Sequence, residues 1–354
     1  MKEVLIRKFF FLISFLLILI PLHADEGQLI KVRKGDTISY LSFKVYGQYD
    51  PLIGEYLRQE NPKIKDINLI YVGQTIKFPS REAMKKWLQE RSPRIEKPTP
   101  PLAPPQVPVE KEELPAETKV RANKAVVTFL SGQVQVKKKD SSSWTTAQPN
   151  MILYEKDQIK VLAKSRAEII LDNQSVVRLA ENSLLTIAKI EEIPAVKKHS
   201  TSLDLSLGKL WTKATKFFNP GSRYDVRTPT AIAGVQGTTY QVIVAENRVI
   251  KVKVYQGEVN VYNPFPKAPP AKPGRAPYIG PPKEVAGPHE VAGPKEVSRE
   301  EWTQIVLRQF QEITITDKYI TTPASFDINQ ERQDEWVRWN EERDLDFTPP
   351  ARLP

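Results

Sequence analysis

The chain has 354 residues, a formal net charge of +10, 30 prolines and no cysteine. At roughly 100 to 200 residues per domain, this length predicts two or three domains. The missing cysteine excludes disulfides, thiolate metal sites, thiol nucleophiles and a lipidated cysteine anchor. Only three histidines occur: His23 in the apolar leader, His199 in a lysine-rich loop and His289 in a proline-rich repeat. A histidine-built zinc site would need ligands that the ordered regions do not supply, so we expect neither a metal nor a cofactor.

The sequence of residues 1–24 is typical of a signal peptide. Lys2, Arg7 and Lys8 form a basic flank, and residues 9–20 are an apolar run shorter than the roughly 18 residues that span a bilayer. Leu22 is larger than the usual small residue three positions before the predicted cleavage site, which leaves an uncleaved membrane anchor as the alternative. We expect the protein to be located in the periplasm or cell envelope. Nucleic acid is not an expected partner there, despite the basic net charge.

Residues 28–79 predict a small α+β domain. An apolar run at 29–32 begins a strand, and Thr37 can cap the helix that follows it. Asp50-Pro51 begins a second helix, because aspartate caps exposed amides and proline is tolerated at the first helical position. Asn61-Pro62 ends that helix, and 75–78 is a closing strand. The predicted order is β-α-α-β.

This unit resembles a LysM module over its whole length. The resemblance rests on Gly35-Asp36-Thr37, Tyr46-Gly47, Asn61-Pro62 and the run from Leu69 to Gln74. It implies binding of N-acetylglucosamine-containing glycans such as peptidoglycan, in a groove between the turn at 35–37 and the loop at 61–73. The candidate glycan-binding residues are Gly35, Asp36, Thr37, Asn61, Pro62, Ile64, Ile70, Tyr71, Val72 and Gly73.

Backbone N–H and C=O groups of the two loops would bind the acetamido group, and Ile64, Ile70 and Tyr71 would cover a sugar face. A purely structural role is the alternative, with Gly35 and Gly73 serving turn geometry and Ile70 lying in the core. One module binds weakly, so firm retention needs several contacts along a polymer.

Two proline-rich segments, 93–119 and 264–297, predict semi-rigid linkers. A short helix at 81–89 precedes the first, which is expected to separate two working units. The second contains a six-residue repeat, EVAGPH followed by EVAGPK.

Residues 123–262 predict an all-β domain, because short alternating apolar runs are bounded by turn signals. SGQVQV, LGKLWT and QGEVNV each place a glycine two residues before an apolar strand position. Such a loose repeat fits either a solenoid-like or a sandwich arrangement.

Within this unit, TPTAIAGVQGTTYQV at 228–242 resembles the signature of the FecR family. Further support comes from LYEKDQI, SRAEIIL, LDLSLGKLW and VYQGEVNVY. The resemblance implies a non-catalytic periplasmic domain that contacts a partner. Its motif residues are Thr228, Pro229, Gly234, Gln236, Gly237 and Thr238.

Two features depart from the FecR pattern. The family commonly has arginine where this chain has Gln236. Its best-known members carry a cytoplasmic anti-sigma segment and a transmembrane helix before the β domain, and neither is recognisable here, so we expect no sigma-factor role. The Gly-x-x-Gly at 234–237 lacks the lysine and helix of a phosphate loop. This Gly-x-x-Gly motif is consistent with either a structural turn or a binding loop.

Residues 298–345 predict helices. Ser298 and Glu301 have capping-box spacing, and an apolar stripe follows at Trp302, Ile305, Val306, Phe310 and Ile313. A second helix is predicted near 327–343, with Trp336 and Trp339. These helices either fold back on the β unit or dock a partner protein, and the acidic tail is expected to contact the basic β unit.

We expect a multidomain, exported, non-catalytic envelope protein that binds peptidoglycan through its first domain and uses the second as a scaffold or interaction module. No acidic residue of the β unit stands in a recognisable catalytic setting. The alternatives are an accessory of an envelope signalling system and a non-catalytic subunit of a cell-wall enzyme complex.

Overall fold

The computed structural model describes residues 27–91, 121–122, 124–193, 195, 198–216, 219, 221–264, 297–298 and 304–353. The predicted signal peptide, the linker at 93–119, nearly all of the linker at 264–297, and Trp302 lie outside these residues. Among the helices described, none has the length and apolar character needed to cross a membrane.

The N-terminal domain has the predicted β-α-α-β order, followed by a third helix. Its elements are β1 (Gln28–Lys31), α1 (Ile38–Tyr46), α2 (Pro51–Glu60), β2 (Thr75–Phe78) and α3 (Arg81–Arg91). β1 and β2 pair antiparallel. Thr37 caps α1 by accepting from the Tyr40 amide at 3.1 Å, and Asp50 caps α2 by accepting from the Ile53 amide at 3.0 Å. Both helix starts are therefore set by the local sequence.

The second domain is built from strands. In chain order they are β3 (Arg121–Ala122), β4 (Ala125–Ser131), β5 (Val134–Lys137), β6 (Thr145–Thr146), β7 (Ile152–Leu153), β8 (Gln158–Val161), β9 (Arg166–Leu171), β10 (Val176–Leu179), β11 (Ser183–Ile193), β12 (Lys198–Lys213), β13 (Arg223–Arg227), β14 (Ile232–Val235), β15 (Thr239–Val244), β16 (Ile250–Gln256) and β17 (Glu258–Tyr262).

The C-terminal region adds β18 (Val297–Ser298), β19 (Gln304–Arg308), β20 (Gln311–Ile315), β21 (Tyr319–Ile320), β22 (Ala324–Ser325), α4 (Ile328–Glu331) and α5 (Glu335–Asp346).

The long strand β12 belongs to two sheets. Its first part pairs with β11 and β13, and its last six residues pair with β10 and β15. The crossing point is Gly208, whose φ of +94° lies in the left-handed region that favours glycine. The two sheets share β12 and enclose one core. The all-β prediction is confirmed, and the arrangement is not a solenoid.

The first sheet runs β6-β5-β8-β11-β12-β13-β14-β17-β19, and the second runs β7-β4-β9-β10-β12-β15-β16-β20. Side chains from both sheets meet between them, among them Ile169, Leu205, Val242 and Leu307, all fully buried.

The helix predicted from Ser298 to Ile313 is wrong. Residues 304–308 form β19 against β17, and residues 311–315 form β20 against β16. Leu307, Ile313 and Ile315 enter the core, the last two with the spacing of a strand. Pairing with two open sheet edges therefore overrides the helical pattern. The second predicted helix is present as α4 and α5.

The two domains share a hydrophobic core, although the sequence predicted separate units. Val126, Ile170 and Val176 of the β domain join the buried cluster of the N-terminal domain. Phe347 and Leu353, which follow α5, join the same cluster. The linker thus connects two domains that pack together.

Candidate glycan-binding site

The predicted groove is present, and the β domain covers it. A cavity of about 180 Å³ lies between the turn at 35–37 and residues Ile67, Asn68 and Ile70 of the loop. Phe129, Leu130, Pro149 and Asn150 of the β domain complete its lining. The volume is below the roughly 300 to 1,000 Å³ of ordinary ligand pockets. The groove is therefore largely filled by the chain itself.

The turn that forms one wall is held by its own polar groups. Gly35 has a φ of +88°, and the Arg33 amide donates to Asp36 Oδ2 at 2.8 Å. Partial burial raises the pKa of Asp36, while the Arg33 hydrogen bond and the Lys44 charge act in the opposite direction. Thr37 ends the turn and begins α1.

Asn150 reaches into the groove from the β domain. Its Oδ1 accepts from the Ser39 amide at 2.8 Å, and its Nδ2 donates to Ile67 O at 3.1 Å and to Asn68 Oδ1 at 2.9 Å. A backbone amide can only donate and a backbone carbonyl can only accept, so these partners fix the orientation of the carboxamide. Asn150 is thus bound by both walls of the groove.

Two further hydrogen bonds join α1 to β4. Thr37 Oγ1 donates to Thr128 O at 2.7 Å, and Ser39 Oγ donates to Val127 O at 3.3 Å. Both hydroxyl groups are buried. The start of α1 is therefore hydrogen-bonded to the β domain through both hydroxyl groups.

The other predicted residues of this site divide into three groups. Ile70 lines the cavity, as Gly35, Asp36 and Thr37 do. Ile64 is 4% exposed and lies in the core, so it is not available to cover a sugar. Pro62, Tyr71, Val72 and Gly73 are exposed outside this cavity, and Gly73 has a φ of +87°.

Asn61 has a structural role. Its Nδ2 donates to Leu57 O and Lys77 O, and its Oδ1 accepts from the Lys77 amide. These bonds join the end of α2 to β2, so the side chain holds the domain together.

Ser39, Ile67, Asn68 and Asn150 were not predicted as site residues. The first three are common residue types beside the predicted ones, and they carry no pattern of their own. Asn150 lies 111 residues from its partner Ser39. No local signal could have placed it in the groove.

The FecR-like segment at 228–242 consists of β14, the first part of β15 and the turns that precede them. Thr228 closes the β13–β14 turn, since its amide donates to Ala231 O at 2.8 Å and its hydroxyl accepts from the Ala231 amide at 3.0 Å. Pro229 lies within this turn. Gly237 has a φ of +68°, and Thr238 Oγ1 donates to Glu258 O at 2.8 Å. These contacts support the structural alternative.

A polar depression of about 570 Å³ lies beside this segment, lined by Arg223, Asp225, Arg227, Gly234, Gln236, Asn260 and Tyr262, among others. Gln236 is exposed at its edge. Partial burial raises the pKa of Asp225, and the charges of Arg223 and Arg227 act against that rise. The depression is a candidate contact surface.

Ionic contacts hold the acidic tail against the β domain, as predicted. Glu168 is fully buried between Arg178 at 2.6 Å and Arg343 of α5 at 2.8 Å. Arg178 also contacts Asp344 of α5 at 2.7 Å, and Glu335 contacts Arg166 at 2.8 Å. Burial alone would raise the pKa of Glu168, but the charges of Arg343 and Arg178 outweigh it and hold the pKa at about 2.

Trp336 and Trp339 of the tail pack within the chain. Trp336 is buried, and Trp339 stacks on it with ring centres 5.5 Å apart. Trp339 also meets Phe129 of the β domain at 5.3 Å. Of the two predicted roles for the tail, folding back on the β unit is the one seen.

No group of three or more His, Asp or Glu side chains that could hold a metal ion occurs in the part of the chain that the structure describes.

Comparison with known families matches two segments. Residues 30–79 match the LysM domain, and residues 157–260 match the family described as FecR protein. The chain therefore contains a LysM domain followed by a FecR domain, in the order that the sequence motifs indicated. No curated protein matches the chain.

Among solved structures, the chain is similar to two crystal structures of a proposed anti-sigma factor from Parabacteroides distasonis ATCC 8503. The identities are 15% and 14%, and the TM-scores are 0.34 and 0.33. Each match covers 51% of this chain, and 64% or 63% of the other. The chain thus spans less than two thirds of these relatives, and TM-scores this low establish no shared fold.

Proposed function

We propose that the protein is a non-catalytic component of the cell envelope that binds N-acetylglucosamine-containing glycan strands through its LysM domain. The observation that carries the proposal is the LysM match at 30–79 together with the groove between the two loops of that domain. The Ser39 amide, next to Ile38 of one wall, and the Ile67 carbonyl of the other wall both hydrogen-bond Asn150 in this groove. Together they offer the donor and the acceptor that an acetamido group requires.

Peptidoglycan is the glycan that an exported chain of this kind would meet. Its strands repeat the same N-acetylated unit, so one weak module gains retention from rebinding along the polymer. The FecR domain then serves as the rigid body that the LysM domain holds at the wall. The absence of catalytic activity is part of the proposal.

The depression beside Gln236 supports a second element of this function, a contact with an envelope protein. Arg223 and Arg227 are exposed there, and Tyr262 adds an aromatic side chain. Because Trp336 and Trp339 pack within the chain, this surface is a better candidate for a partner than helices α4 and α5.

Co-sedimentation with purified insoluble peptidoglycan tests the glycan proposal. Removing residues 28–79 would expose Val126, Ile170 and Val176, so a point variant is the cleaner comparison. Ile70→Ser removes an apolar group from the groove, and Leu69→Ser makes the same kind of change at an exposed neighbour outside it.

We expect the unaltered chain and Leu69→Ser to sediment. Ile70→Ser should bind at least about tenfold more weakly, which corresponds to ~1.4 kcal/mol. Circular dichroism checks that both variants are folded. If all three chains stay in the supernatant at every peptidoglycan concentration, the proposal is wrong.

A further inference from the structure

Asn150 presents to the LysM groove the chemical groups that an N-acetyl substituent would present. A carboxamide and an acetamido group each combine one carbonyl acceptor with an N–H donor on the same planar unit. In the structure the carbonyl of Asn150 faces the Ser39 amide, and its NH₂ faces Ile67 O and Asn68 Oδ1. A single acetamido N–H would satisfy one of these two acceptors.

The backbone around Asn150 holds the side chain at this place. The Asn150 amide donates to Val127 O at 2.8 Å, and the Val127 amide donates to Met151 O at 2.9 Å. Asn150 has a φ of +65°, a conformation that asparagine adopts more readily than most residues. The Asn150 side chain thus extends from a turn that is hydrogen-bonded to β4.

The rest of the groove leaves no room for a sugar ring beside Asn150. The remaining cavity is about 180 Å³, and Phe129, Leu130 and Pro149 line its β-domain side. Hydrogen bonds from Thr37 and Ser39 to β4 also hold the start of α1, on the LysM side of the groove, against the β domain. A glycan and the β domain cannot occupy these groups together.

We propose that the FecR domain closes the LysM groove by placing the Asn150 carboxamide in the position of the glycan N-acetyl group, so that glycan and Asn150 compete for Ser39, Ile67 and Asn68. The proposal rests on the glycan binding proposed above, and it adds the regulation of that site. Glycan binding then requires the turn that carries Asn150 to leave the groove, which couples the occupancy of the LysM domain to the packing of the FecR domain.

The size of the effect follows from the contacts that are lost. Asn150 makes three hydrogen bonds with the LysM domain, and each opposes entry of the glycan because a hydrogen bond inside a protein contributes net stability. Removal of this competitor should therefore raise the glycan affinity by about tenfold or more.

Isothermal calorimetry with penta-N-acetylchitopentaose tests the proposal on the full chain. Asn150→Gly removes the carboxamide and still accepts a positive φ. Asn182→Gly is the matched control, because Asn182 is an exposed asparagine of the same domain with a φ of +56° and lies outside the cavity. Asn150→Asp is a second variant, in which a carboxylate faces two acceptor oxygens and is repelled by them.

We expect Asn150→Gly and Asn150→Asp to bind the oligosaccharide at least about tenfold more tightly than the unaltered chain, and Asn182→Gly to bind as the unaltered chain does. Equal affinity in all four proteins overturns the competition and leaves the glycan function standing. If none of the four binds, the glycan function fails and this inference fails with it.

Discussion

Arg343 in helix α5 donates two hydrogen bonds, of 2.9 and 2.8 Å, to the carboxylate of Glu168 in strand β9. The two residues are 175 positions apart. The Arg343 guanidinium also lies 4.6 Å from the centre of the Tyr40 ring in the LysM domain. One side chain of the tail thus touches both domains.

Replacing Glu168 tests whether this ion pair supports the fold. Glu168→Gln removes the carboxylate that Arg178 and Arg343 share and leaves the fully buried Arg178 with Asp344 as its ionic partner. Removing one partner of a buried ion pair typically costs about 3 to 5 kcal/mol. We expect a loss of this size in the free energy of unfolding, measured by urea denaturation. Glu258→Gln, at an exposed position of β17, should change it by no more than about 0.5 kcal/mol. Equal stability of the two variants would count against the ion pair.

The same carboxylate predicts an acid dependence of stability. The arginines outweigh burial and lower the pKa of Glu168 from an ordinary 4.5 to about 2 in the folded chain. A lowered folded-state pKa contributes stability that is complete above about 4.5 and is lost as the pH falls through about 2. The melting temperature of the unaltered chain should therefore fall more steeply over this interval than that of Glu168→Gln. Parallel curves would show that Glu168 does not titrate in this way.

Phe347 tests whether the LysM and FecR domains unfold together. Its ring lies 5.7 Å from the Tyr40 ring, in the core that both domains share. Phe347→Ala should destabilise the chain by about 3 to 5 kcal/mol, the usual cost for a buried phenylalanine. Leu345→Ala is the control, since that side chain lies two residues earlier, in the last turn of α5, and is 84% exposed. We expect one calorimetric transition that moves as a whole in Phe347→Ala; separate LysM and FecR transitions would contradict the shared core.

Gly208 tests the crossing of β12 between the sheets. An added Cβ there would collide with the Oγ and the backbone of Ser183, whereas at Gly73, which also has a positive φ, it would meet no atom. Gly73→Ala should cost about 1 to 2 kcal/mol, the penalty of the left-handed conformation alone. Gly208→Ala should cost clearly more in the same denaturation experiment. Equal losses would mean that the strand relaxes around the added carbon.

The elements that the sequence predicted correctly have local causes. Thr37 and Asp50 cap their helices with atoms three residues away, and the motifs of the LysM loops are contiguous. The strands of the β domain were visible because apolar side chains alternate between turn residues. Such signals need no knowledge of the tertiary structure.

The features that the sequence did not predict depend on distant partners. Residues 304–315 carry a helical spacing and a strand spacing together, and the open edges of β16 and β17 decided between them. The cover of the LysM groove depends on Asn150, which the fold brings to Ser39 from a turn of another domain. An asparagine in a turn ordinarily serves the turn itself, so nothing at its own position indicated this contact.

The proposed glycan site and its cover are tested most directly by following backbone amide resonances of the isotope-labelled full chain while penta-N-acetylchitopentaose is added. We expect three amides to shift together and to saturate at one ligand concentration: that of Ser39, which donates to Asn150, that of Asn68, which lines the groove, and that of Asn150 in the turn that covers it. Those of the depression around Gln236 should stay unchanged. Saturable shifts elsewhere with none at Ser39, Asn68 and Asn150 would contradict the proposed site and its cover.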